Sequence, residues 1–501
     1  MVQVLQESTA APAARPRHLR LRPAAAFTSS KSSPVRVEDA LFLYAENPGV
    51  PQQVGAVVLM EGGHVELDDF REAIATRVRA IPELRRRIVP ARNRWSRPRW
   101  VVDAYIDVDS RIHEVALRTK GDGPLNELVG RFFAVALDPS CSPWEILLVR
   151  GSPAISETGR YSVVVKVHHA LGDSFTLIAA LGGLLDQAPG QWSLKAPELA
   201  PSPNRWADLG LARAGRVVNG LACMLAAGRV KVATVRPEFA RGHTGPAGAQ
   251  TRPASGHTGP GGGQPTSSAS AKLQYVHFSL QARAATMVAR QLGTNVPDLL
   301  LALVAEATSN RQAPEPDISG GASLRVMVPH SVRCLAHHRP RNVSGKTTSN
   351  RTAGVLLDLP IGPMAFTDRV TAVRQLHDKC LRRGDAEAAA FVLWAMDLVP
   401  AVLQRRWARA FYSGAWLGLI VSVFPGMRRP CRLLGEGITA VYPVLALAEG
   451  TNLAVGAMTW GTSMSVSLLG SDMAPNDLGA LANEIERCFY DCSGLARKSK
   501  T

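Results

Sequence analysis

"YSVVVKVHHALGDSFT", Tyr161 to Thr176, joins a run of β-branched residues to two histidines, a short glycine-containing turn and an aspartate. A valine-rich run of this length suits a pleated, buried strand. The apolar stretch that follows, "FTLIAALGGLLDQ", reads as one face of a helix, so the order is strand, short turn, helix. Side chains alternate along a strand. Val163, Val165, Val167 and His169 therefore share one face, and Val164, Lys166 and His168 share the other. If the first set is packed, His169 is the last member of a well-fixed series. Asp173 lies beyond the turn, so alternation does not make it the imidazole's direct partner.

Upstream, "QQVGAVVLM" (Gln52 to Met60) reads as a strand. "LDDFREAIATRVRAIPELRRRIV" reads as a helix with Asp68 or Asp69 as its cap and Phe70, Ile74 and Val78 at helical spacing, until Pro82 breaks it. "LNELVGRFFAVAL" is another helix and "WEILLVRG" another strand. Downstream, residues 203–237 are helical in composition. Arg241 to Ala271 repeats GHTGP and shows no apolar period, so it cannot offset its ordering entropy and reads as a linker or insertion. The second half opens on the strand "LQYVHFSL", followed by the helix "NVPDLLLALVAEATSNR", the strand "LRVMVPHSV", an amphipathic region from Thr367 to Leu403, and the strands "NLAVGAMTW" and "SMSVSLLG". "SGAWLGLIVSVFPG" (Ser413 to Gly426) falls short of the roughly 20 residues that span a bilayer and reads as a core strand. Strands and helices mix similarly in both halves, which predicts two related α/β units with a site between them.

A chain of 501 residues exceeds one ordinary core, and 46% hydrophobic residues can fill two. The expected division is a disordered basic arm over 1–35, a first domain over 36–240, a flexible segment over 241–271 and a second domain over 272–498. Fifty-seven Lys plus Arg against 41 Asp plus Glu give +16, which suits an anionic membrane surface, nucleic acid or a phosphorylated ligand. Nucleic acid is disfavoured by sparse aromatic interleaving and by the lack of a zinc-finger or RNP-type string. The seven cysteines are scattered without a CxxC, which favours a reducing compartment and no metal. The first 35 residues hold five basic groups against Glu7 and no continuous apolar segment of the secretory kind. "NVSGKTT" (Asn342 to Thr348) ends like a phosphate loop but has Pro340 where the first glycine belongs, and "GDSF" lacks the elbow of a serine nucleophile around Ser174.

On residues alone three readings of the histidine pair stay open. A metal site wants His-x-His or a third ligand at recognisable spacing, and adjacent histidines diverge. Ordinary structural histidines fit a strand end. A general base also fits, because one imidazole can take a proton from an attacking hydroxyl and return it to a leaving thiolate.

His168, His169, Gly172 and Asp173 form an HHxxxD string that resembles the signature of the CoA-dependent acyltransferase superfamily, specifically the bacterial and plant-type wax ester synthase/diacylglycerol acyltransferase family. Other segments resemble that family in order: "VEDALFLYAENPGVPQQVGAVVLM" with Asp39 and Phe42-Leu43, the Pro143-Trp144-Glu145 string, "LRVMVPHSVR", "SNRTAGVLLDLP" with Asn350 and Arg351, and a late Tyr-Pro region. The resemblance covers about residues 36 to 490. It implies two chloramphenicol-acetyltransferase-like mixed-sheet domains with an active-site channel at their interface. His169 is then the expected catalytic base. His168, Gly172, Asp173 and Ser174 are expected to shape the motif, and Pro143, Trp144, Glu145, Asn350 and Arg351 to serve as structural or channel residues. Acyl-CoA is the implied co-substrate, with no permanently bound cofactor and no metal. The implied acceptor is a hydroxylated lipid, diacylglycerol or a fatty alcohol, with a glycolipid or polyketide-like hydroxyl as the alternative and a degenerate lipid-binding scaffold as another. The expected location is cytoplasmic, peripherally on an anionic membrane or lipid-droplet surface. Two positions depart from the family pattern: Ser174 replaces the usual glycine after the aspartate, and "SVFPG" (Ser422 to Gly426) lacks the usual asparagine.

Overall fold

A buried strand must pair its backbone N–H and C=O groups on both sides, and the valine run Tyr161–His168 does so inside a six-stranded sheet. The computed structural model describes residues 32–186, 272–311, 323–331 and 350–494, apart from short gaps within those spans. The segments 203–237 and 241–271, the string at 342–348, and Arg351 lie outside the described residues.

The first half contains β1 (Ser33–Pro34), α1 (Val37–Ala45), β2 (Gln53–Met60), α2 (Leu67–Arg79), β3 (Arg86–Val89), β4 (Arg99–Val102), β5 (Ile112–Ala116), α3 (Asp122–Ala134), β6 (Trp144–Arg150), β7 (Tyr161–His168) and α4 (Ser174–Gly182). The second half adds β8 (Leu273–Gln281), α5 (Ala282–Gln291), α6 (Val296–Arg311), β9 (Ser323–Ser331), β10 (Thr352–Pro360), α7 (Phe366–Arg383), α8 (Asp385–Met396), α9 (Ala401–Phe411), β11 (Leu419–Met427), β12 (Arg432–Leu433), β13 (Glu436–Val444), β14 (Leu453–Trp460), β15 (Ser463–Ser471) and α10 (Asp477–Ser493). The amphipathic region is thus three helices, split at Gly384, whose φ of 87° suits glycine, and at Pro400. In α2, Phe70, Ile74 and Val78 are buried as their spacing requires. Asp68 and Asp69 lie in its first turn rather than at the cap position, where Glu66 makes no side-chain hydrogen bond.

Two mixed six-stranded sheets carry the fold, in the orders β12-β13-β2-β7-β6-β5 and β10-β9-β11-β14-β15-β8. Only β5–β6 is parallel in the first, whereas β9–β11 and β11–β14 are parallel in the second. The α/β expectation with mixed sheets therefore holds. The linear cut at residue 272 does not separate the sheets, because β13 pairs with β2, Tyr442 facing Val57 and Pro443 facing Ala56. An uncovered β2 edge would expose unpaired backbone groups, and the crossing strand satisfies them. Residues 33–35, expected in the arm, belong to the fold: Ser33 and Pro34 pair with Trp100 and Arg99, and Val35 is buried.

Candidate active site

All eight residues of β7 are buried, so both faces of the strand are screened from solvent and not one alone. Alternation still sorts them. Val163, Val165, Val167 and His169 line a cavity of about 950 Å³, while Lys166 turns toward α3. This volume is at the upper end of the roughly 300–1,000 Å³ found for small-molecule pockets. Its walls come from both sheets: Val54, Ala56 and Val58 of β2 and Val441 of β13 from one, and Met327, Gly354, Leu356, Ile420 and Phe424 from the other. Most of the lining is apolar, with Arg325 and Asp358, joined by hydrogen bonds of 2.7 and 3.0 Å, among the polar exceptions.

His169 is not itself a strand residue: β7 ends at His168, and His169 opens a single 3-10 turn to Leu171. Its backbone N–H donates to the Gln52 carbonyl at 2.9 Å, while that of His168 donates to the Pro143 carbonyl at 2.9 Å. The His169 ring stacks on Phe42, with centroids 3.7 Å apart and planes 6° from parallel, and Tyr412 meets Phe42 edge-on. Asn350 Nδ2 donates to the His169 carbonyl at 3.0 Å and to Asp39 Oδ1 at 2.8 Å, and the Asn350 backbone N–H donates to the same Oδ1 at 2.8 Å. The turn that carries His169 is therefore clamped by α1 and by Asn350, two residues before β10, from opposite halves of the chain.

Burial pushes the His169 imidazole down to about 4, against the backbone of His169 itself and of Gly172, which favour the protonated ring. The ring is consequently neutral at neutral pH. Its Nδ1 is sealed and has no side-chain partner among the described residues, which leaves Nε2 for the cavity. Burial also raises the Asp39 carboxyl to about 7, although both Asn350 hydrogen bonds oppose that rise.

His168 points the other way and is fully engaged. Its Nδ1 accepts from the Ala170 N–H at 3.0 Å, so the ring proton sits on Nε2, 3.3 Å from Glu46 Oε2. Burial would raise the Glu46 carboxyl, but the hydrogen bond from His168 holds it below its ordinary value. A group with both nitrogens committed is an architectural one.

The rest of the motif builds the turn. Asp173 caps α4, its Oδ1 accepting from the Thr176 N–H at 3.0 Å and the Thr176 hydroxyl at 2.9 Å. A Cβ on Gly172 would come within 2.5 Å of Thr176 Cγ2, so glycine is required there by space. Ser174 is the first residue of α4 and lines the cavity; a helical backbone accepts serine without strain. The Pro143-Trp144-Glu145 string lies outside the cavity lining. Trp144 is buried with its Nε1 donating to the Leu84 carbonyl at 2.8 Å, and Glu145 pairs with Lys166 at 2.9 Å. In "SVFPG", Ser422 and Phe424 line the cavity, whereas Val423, at the position of the missing asparagine, packs against the second-half core. That departure therefore changes the core side of β11.

In the sequence Phe42 and Asp39 stand out only as parts of a family-like segment, and nothing there marks Gln52 and Tyr412 as site residues. No spacing rule links them to His169, because they reach it from different elements. Among the described residues no cluster of His, Cys, Asp or Glu is arranged to hold a metal ion, and Cys488 lies beside Glu484 and Asn310.

An imidazole held just past the end of a central strand, facing a mostly apolar cavity between two mixed sheets, is placed where it could exchange a proton with a bound hydroxyl or thiol. The model of the wax ester synthase/diacylglycerol acyltransferase catalytic domain matches residues 36–300, and that of the WS/DGAT C-terminal domain matches residues 348–491. The chain belongs to this family and is an acyl-CoA-dependent O-acyltransferase. It is 23% identical over 473 residues, 92% of this chain and 96% of the other, to the "Probable diacyglycerol O-acyltransferase tgs1" of Mycobacterium tuberculosis. Its fold is similar to that of a wax ester synthase/diacylglycerol acyltransferase from Marinobacter aquaeolei, with a TM-score of 0.55 and 16% identity over 92% of this chain and 100% of that one. The first condensation domain of the calcium-dependent antibiotic synthetase shares the fold at a TM-score of 0.58 and 15% identity, covering 93% and 97% of the two chains.

Proposed function

We propose that the protein transfers a long-chain acyl group from acyl-CoA to a lipid hydroxyl, converting diacylglycerol to triacylglycerol, a fatty alcohol to a wax ester, or both. The observation that carries this reading is the neutral His169 imidazole, presented to a large, mostly apolar cavity. Each buried methylene of an acyl chain contributes about 0.8 kcal/mol, so such a cavity favours long chains over short ones.

In this reading the acceptor oxygen attacks the thioester carbonyl carbon while its proton passes to His169 Nε2. The tetrahedral intermediate collapses, the C–S bond breaks, and the same proton passes to the departing CoA thiolate. The Asn350–Asp39 clamp and the Phe42 stack keep the ring in place through both transfers. His169 is the catalytic residue, while Asp39, Asn350, Asp173 and Gly172 are positioning residues. The net charge of +16 supports a setting at an anionic membrane or lipid-droplet surface on the cytoplasmic side.

The test is product formation. Purified parent protein is expected to form triacylglycerol or wax ester from palmitoyl-CoA with diacylglycerol or hexadecanol, and His169→Ala is expected to lose it. Equal rates in both would sink the base assignment. Mass spectrometry of products from mixed acceptors identifies the hydroxyl used, and exclusive acylation of a glycolipid would reject neutral-lipid synthesis.

A further inference from the structure

Helix α8 carries no polar side chain from Ala388 to Met396, and a helix apolar all round is ordinarily covered all round. One of its faces is accounted for, since Ala389, Val392 and Leu393 line the cavity. At about 100° per residue, Phe391 and Trp394 point to the opposite side. There Trp394 is 59% exposed, and Leu398, in the turn that continues the helix, is 77% exposed. Among the described residues the helix is thus a single-layer wall with the cavity behind it and exposed aromatic and aliphatic side chains in front.

The tip of the β3–β4 hairpin extends this bare surface. Trp95 is 56% exposed there, its carbonyl accepts from the Ala401 N–H at 3.3 Å, and Arg97 pairs with Asp397. Between Arg86 and Val102 the hairpin has six arginines and no acidic residue. Arg94 lies 5.1 Å over the Trp95 ring, and Arg406 and Arg409 of α9 are exposed. Exposed Trp and Leu side chains bordered by arginines match the chemistry of a lipid interface with anionic head groups. A second copy of the chain is a poorer occupant, because a symmetric contact would bring these arginines against one another.

We propose that the β3–β4 tip and the outer face of α8 form one docking surface for an anionic lipid layer. Trp95, Trp394 and Leu398 enter the layer and the arginines engage its head groups, so that α8 alone separates the layer from the cavity. The inference rests on the lipid-hydroxyl reading for what that layer supplies, but the docking itself is separately measurable.

The test compares the full-length parent with a Trp95→Ser/Trp394→Ser/Leu398→Ser variant by co-sedimentation with vesicles. One set of vesicles is phosphatidylcholine alone, the other contains one third phosphatidylglycerol. The parent is expected to bind the anionic vesicles in a salt-sensitive manner, and the variant to lose about tenfold or more in partitioning. Its melting curve and its rate with short-chain acyl-CoA and a water-soluble alcohol are expected to match the parent's, because none of the three side chains lines the cavity. Equal partitioning of variant and parent would overturn the proposal, as would a parent that binds neither vesicle. So would light scattering that shows a dimeric parent and a monomeric variant, since the face would then be a subunit contact. A parent that docks through these residues yet acylates no hydroxyl would leave the docking surface standing and remove the acyl-transfer reading.

Discussion

The two faces of β7 treat buried polar groups in opposite ways. On the back face Lys166 pairs with Glu145 and donates to the Phe132 and Val135 carbonyls at 3.1 Å each, and His168 uses both ring nitrogens. On the cavity face three valines lead to one imidazole whose Nδ1 has no side-chain partner among the described residues. Buried polar groups are ordinarily satisfied because leaving them unpaired is costly. One strand therefore stabilises the sheet with its back, while its front leads to an imidazole whose Nδ1 no described side chain engages.

The largest effect is expected at His169. His169→Ala should lower product formation on the order of 10²–10⁴-fold while the melting curve stays close to the parent's. A large fall in melting temperature would mean that the cavity face is structural as well, and the contrast between the faces would fail. Glu145→Ala should do the reverse. It leaves Lys166 buried without its counter-charge and should cost about 3–5 kcal/mol in urea unfolding, with the folded fraction still turning over. Unchanged stability would show that the back-face pair is dispensable.

The pH dependence sharpens the comparison. Because His169 is held near 4, kcat/KM should stay flat through mildly acidic pH, with its acid limb near 4; a limb at the ordinary imidazole value of 6.5 would contradict the desolvated ring. Its stability contribution has the same sense: present above 6.5 and lost as pH falls through about 4, where the unfolded chain binds the proton more readily. Asp39 has the opposite sign. Its carboxyl is raised from 3.8 to about 7, so its contribution is present below 3.8 and lost as pH rises through about 7. Asp39→Asn removes that loss, and its melting temperature should gain on the parent's as pH rises across this interval. A constant difference would mean that Asp39 is not held in its neutral form.

Smaller effects are expected in the turn. Asp173→Ala removes the cap of α4 and should cost about 1 kcal/mol, with a partial loss of rate because His169 rides on the same turn. If the rate fell as far as in His169→Ala at an unchanged melting temperature, Asp173 would belong to the chemistry. Ser174→Gly should change stability by less than about 1 kcal/mol and leave product formation near the parent's; a large gain in rate would show that the serine restrains the site.

Local physical chemistry was enough to read much of this from the sequence. The period-two valines placed His169 and His168 on opposite faces, and the helical spacing of Phe70, Ile74 and Val78 marked the buried side of α2. The HHxxxD string and the ordered segments around it pointed to the family and to His169. Distant pairings were hidden, because nothing in residues 436–444 states that this strand leaves its own half to pair with β2. Nor does any spacing bring Asp39, Phe42 and Asn350 to one imidazole, and the depressed His169 value exists only once both sheets close over the ring. Alternation and periodicity are properties of a few consecutive residues. A clamp, a stack and a desolvated base arise from chain segments hundreds of residues apart, and only the tertiary structure decides which of them meet.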